Sequence, residues 1–174
     1  MSLKTYIFVF LLLGLQFNSC DKNKPFEPTI GEFAIYKVLD TGIILREKPT
    51  KSIDSLTLTK EPVISIEDMK SYVWSTDIFP RLAIKSNCMN KIDTLMDLHD
   101  PFLCYPFLVC VGNDRIYFGA FRSIFSSYHP TYPCFHRKGN DTIVITYIDP
   151  DENRKKIYDN RIYESLKEYG LLVD

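Results

Sequence analysis

His99, His129 and His136 are the residues of this 174-residue chain with the chemistry to exchange a proton near neutral pH or to offer imidazole to a metal. His129 and His136 share one segment with Ser126, Ser127 and Cys134. A serine beside a histidine is the raw material of a hydrolytic pair, so one reading of the segment is a small envelope hydrolase using His129 or His136 with a nearby serine or acid. Against it, no Gly-x-Ser-x-Gly elbow surrounds either serine, and the two histidines with Cys134 between them match no compact ligand motif. Asp149, Asp151 and Glu152 form an acidic patch, but the central glycine and terminal glutamate of a calcium loop are missing. No two cysteines have the Cys-x-x-Cys spacing of a zinc or redox site. The residues thus point to no metal, no cofactor and no catalytic residue, and they weigh against an enzyme.

Contact chemistry is better represented. Arg122, Phe125, Ser126, Tyr128 and Tyr132 bring aromatics and a guanidinium to one stretch, and Tyr, Trp and Arg dominate the energetics of protein interfaces. The segment 123–139 has no clear periodicity and reads as a long ordered loop, a place where function often resides. Tyr72, Trp74, Tyr117 and Phe121 read instead as core. The 21 Lys and Arg nearly balance the 22 Asp and Glu. That balance leaves no positive field for nucleic acid and no polybasic grip on anionic lipid, so any membrane attachment must come through an apolar or covalent group.

Such a group is legible at the N-terminus. Lys4 gives a positive flank, residues 6–15 form an apolar run, and Phe17-Asn18-Ser19-Cys20 closes it. A run this short does not comfortably cross a hydrocarbon core of about 30 Å. The segment resembles a bacterial lipoprotein signal peptide, with Phe17 where such signals usually carry leucine. The resemblance implies cleavage before Cys20, acylation of Cys20 with chains such as palmitate, and attachment to a membrane of the bacterial cell envelope, the outer one rather than the inner. The remaining cysteines are even in number: Cys88, Cys104, Cys110 and Cys134. Three pairings are open. Cys110 lies in the apolar run 107–111 and is expected to be a free, buried thiol, and Cys104 with Cys134 is the better candidate for a disulfide.

The elements that must carry these residues follow from pattern. Residues 1–20 are the signal, 21–31 are a polar tether containing Pro25 and Pro28, and 32–174 form one domain. Strands are predicted over 33–39, less firmly 55–59, then 72–79 and 142–148, with a β-hairpin over 107–121 turning at Gly112-Asn113-Asp114. Ser65 and Asp68 suggest a capped short helix over 66–71. Ile84, Cys88, Ile92, Leu95 and Met96 recur at helical spacing after Pro80, and 160–169 reads as a closing helix stopped by Gly170. The stretch 149–156 reads as a solvated connection. The fold class expected is α+β, a mostly antiparallel sheet with a central hairpin and two main helices packed on one face.

Three stretches, 66–76, 116–127 and 159–167, resemble a group of uncharacterised bacterial exported proteins. The order of elements is distantly similar to the periplasmic head subdomain of the Sec translocon's accessory membrane protein, whose transmembrane helices this chain lacks. Neither resemblance supplies a catalytic residue, and the second implies a contact module. The function expected is therefore a lipid-anchored binding or assembly module with a protein or envelope partner. A structural component of an outer-membrane assembly is the further alternative to the hydrolase.

Overall fold

The computed structural model describes residues 31–40, 51–75, 79–95, 104–122, 131–148 and 150–173. Cys20, His99, Phe125, Ser126, Ser127, Tyr128, His129 and Asp149 lie outside them, as do the signal and most of the tether.

The longest strands are built from the apolar run recognised in the sequence. Strand β5 (Cys104–Val111) turns through Gly112, at φ 58°, into β6 (Asp114–Arg122). Alternation splits β5 between two cores. Phe107, Val109 and Val111 face one, and Cys104, Leu108 and Cys110 face the other. A strand buried on both faces reads as a continuous apolar run, which is why this segment looks uniform in sequence.

Around this hairpin stand β1 (Phe33–Lys37), β2 (Ile64–Ser65), β3 (Met69–Val73), β4 (Arg81–Ile84), β7 (Cys134–Lys138), β8 (Thr142–Thr146) and β9 (Leu172–Val173). They form one nine-stranded sheet in the order β2-β1-β5-β6-β7-β8-β4-β3-β9. Six neighbouring pairs are antiparallel. Two, β6 with β7 and β3 with β9, are parallel. The helices are short: α1 (Ser86–Leu95), α2 (Pro150–Ile157) and α3 (Asn160–Glu168). Among the described residues no helix is long and apolar enough to cross a membrane.

This architecture corrects the α+β expectation. The protein is mostly β, and helix is subsidiary to a mixed sheet, although the sheet is mainly antiparallel and does contain the hairpin. Three local readings account for the difference. Residues 81–84 are strand rather than the first turn of a helix, because Leu82 and Ile84 alternate inward while Arg81 is exposed. Ile84 happens to stand four residues before Cys88, so one helical period runs across a strand end and a helix start. Residues 134–138, read as loop, form β7. Residues 150–157, read as a solvated connection, form α2, which buries Asn153 and Ile157 four residues apart on one face. The Ser65–Asp68 pair is present, with the Asp68 carboxylate accepting from both the Ser65 amide and hydroxyl at 2.9 Å, but it caps one 3-10 turn (Ile66–Asp68) that enters β3 at once. The strand expected over 55–59 is a 3-10 turn (Ile53–Ser55) and a single bridge from Leu58 to Val38.

The first core lies between the sheet and the helices. Phe107, Phe121 and Phe135, from β5, β6 and β7, stack with centroids 4.4–5.6 Å apart. Ile92, Ile157, Ile162 and Leu166 cover them from the helices. Trp74 packs at 5.2 Å on Tyr158 and 5.3 Å on Tyr163, joining the end of β3 to α2 and α3. Tyr72, Tyr117 and Phe121 are buried, as their sequence context suggested. Helix α3 opens on Asp159, whose carboxylate accepts from the Arg161 amide at 2.9 Å, and ends on Gly170 at φ 65°, a conformation that favours glycine.

The second core, on the opposite face, is smaller. It holds Tyr36, Leu56, Leu108, Phe118, Ala120 and Tyr132 together with three thiols. Cys88, Cys104, Cys110 and Cys134 are all free and buried. The bridge expected between Cys104 and Cys134 is thus not formed. Cys104 lies opposite Arg122 and Cys134 opposite Ala120, on strands separated by β6, and two strand spacings of about 4.8 Å exceed the reach of a disulfide.

Burial pushes the thiols up, Cys88 and Cys134 to about 12 and Cys110 to about 11. The unfolded chain releases these protons near its ordinary thiol pKa of about 8.5, and the native chain keeps them. The unfolded state therefore binds fewer protons above about pH 9, and stability, complete below that, falls as pH rises toward 12. Urea midpoints measured from about pH 8 to about pH 10.5 should fall steadily, and less steeply in a Cys88→Ala/Cys134→Ala chain. Equal slopes in the two chains would contradict this assignment.

Candidate binding cleft beside strand β6

Strand β6 pairs with β5 along its length, but β7 meets it only at Ala120 and Phe121. The reason is local. The residue before β7 is Pro133, which has no N–H to donate, so pairing starts one residue later. Along the earlier half of β6, where among the described residues no strand pairs on this side, lies a cleft of about 110 Å³. Ile116, Tyr117 and Phe118 form its floor. Tyr132 makes one wall, its ring packed edge-on to Phe118 at 5.1 Å.

Two polar anchors hold the walls. Asn153 of α2 is 1% exposed and donates from Nδ2 to the Thr131 carbonyl at 2.8 Å, fixing the backbone that carries Tyr132. Arg115 of β6 donates from Nη1 to the carbonyls of Ile53 (2.7 Å) and Leu56 (2.8 Å), tying the 53–56 turn, whose Ile53 lines the cleft, onto the sheet. Lys51 and Lys156 complete the lining. Lys51 pairs with Asp40 at 2.6 Å, and that hydrogen bond, with one from the Thr57 amide, holds the Asp40 carboxyl below its ordinary range. Lys156 pairs with Glu152 one helical turn away at 2.6 Å.

The residues singled out in the sequence divide sharply. Tyr132 lines the cleft, but as a buried wall rather than a displayed contact. Arg122 is also buried, in the second core beside Cys104 and Cys134, where its charge opposes but does not overcome the upward effect of burial on both thiols. Neither is the exposed anchor the sequence suggested, because alternation along β6 turns Arg122 toward the second core. Phe125, Ser126 and Tyr128 lie outside the described residues. His136 is half-buried on β7, while His129, Ser126 and Ser127 lie outside the described residues. Asp151 and Glu152 are exposed on α2, Glu152 committed to Lys156. Among the described residues no three His, Cys, Asp or Glu side chains converge to hold a metal.

Sequence reasoning missed Lys51, Ile53, Asn153 and Lys156. The signal was available for one pair. Reading 150–157 as a helix puts Asn153 and Ile157 on the same face, which marks Asn153 as an inward polar residue in an otherwise charged stretch.

The described lining of the cleft offers apolar surface, the side chains of Tyr117 and Tyr132, a rigidly held amide and two lysines, each paired with a carboxylate. Comparison of the chain with protein-family models, with curated proteins and with solved structures finds no match.

Proposed function

We propose that this chain is a lipid-anchored protein of the bacterial cell envelope whose β domain holds an envelope partner in the cleft beside β6. The cleft carries the reading: it is a preformed, mainly apolar hole walled by partly buried hydrogen bonds, with Lys51 and Lys156 among its lining residues. Attachment rests on Cys20, which closes the apolar N-terminal run. A tether of residues 21–31 reaches roughly 35 Å when fully extended, so the domain works close to the bilayer.

Three separate variants test the reading. Cys20→Ala should move the protein from the membrane fraction to the soluble fraction. A photo-crosslinking residue at Lys156 should trap a discrete partner from the envelope, and one at the exposed Lys85 on a different part of the surface should not. Unchanged partitioning, or identical adducts from the two positions, would refute it.

A further inference from the structure

We draw no further inference here: the strongest candidate, the hollow between the β5–β6 turn and helix α3 where Asp114, Glu164 and Glu168 gather beside the buried Ser165 hydroxyl, is an acidic cluster whose Asp114 is already paired with Arg161, and nothing in the structure turns that hydroxyl into the hollow or shows what covers it.

Discussion

Gly119→Ala should destabilise the domain by about 3 kcal/mol, at the upper end of what overpacking costs. Gly119 lies directly across the β5–β6 ladder from Phe107. The Phe107 ring lies over it, so a Cβ at this position would sit 2.5 Å from Cζ and 2.8 Å from Cε2 of that ring. A ring could swing away, but the same Cβ would also meet the Pro133 carbonyl oxygen at 2.8 Å. That oxygen is held by the Ala120 amide at the point where β7 joins β6. Relief therefore requires both a shift in the Phe107–Phe121–Phe135 stack and a shift in the parallel pairing. The backbone of Gly119 has no positive φ, so space rather than conformation excludes a side chain. Urea unfolding reads the loss as a lowered midpoint. Phe107→Leu added to Gly119→Ala should recover part of it, and a full additive loss in the double variant would show that the ring is not the obstacle.

Arg115→Ala should cost about 2–3 kcal/mol and abolish occupancy of the cleft. One guanidinium nitrogen satisfies two carbonyls of the 53–56 turn, and Leu56 is 2% exposed, so its carbonyl has little access to water when the donor is removed. Hydrogen bonds from charged donors contribute about 1.5–3 kcal/mol, and a buried acceptor left without a partner costs its full desolvation. The same turn is tied to β1 through the Leu39 amide on the Thr57 carbonyl (2.8 Å) and the Thr59 amide on the Lys37 carbonyl (3.0 Å). Losing Arg115 should therefore first accelerate amide exchange at Leu39, Leu56 and Thr59, while β5, β7 and β8 keep their protection. Arg115→Lys, whose stem ends short of the position of Nη1, should recover only part of both stability and binding. Uniform loss of protection across all strands would show that Arg115 supports the whole sheet and not this one wall.

The parts of the fold legible in the sequence were those encoded by short-range period. The hairpin announced itself through an apolar run, a Gly-Asn-Asp turn and a second β-rich run. The closing helix α3 was marked by Ile162 and Leu166 on one face and by Gly170 at its end. The burial of Cys110 followed from its place in the run. What failed did so where one pattern served two structures. The spacing of Ile84, Cys88 and Ile92 fits one helix as well as it fits a strand end feeding a helix, because both deliver side chains to the same core. Strand β7 carries only Cys134 and Phe135 as buried residues, too few to show a period of two. The highly charged stretch at 150–157 hid a helix whose buried residues are Asn153 and Ile157.

The sequence by itself determined the near-neutral charge and the existence of a β-hairpin over the apolar run. Tertiary structure decided that the hairpin sits inside a nine-stranded mixed sheet, that Arg122 points into a core, that Cys104 and Cys134 stay apart, and that a cleft opens where Pro133 delays β7. The division has one physical cause. Periodicity and turn chemistry act within a few residues and are written in the chain, whereas strand order, and with it which side chains become neighbours, depends on pairings between segments far apart in sequence. Lys51, Phe118, Tyr132 and Lys156 span more than a hundred positions, and only the assembled fold brings them to one cleft.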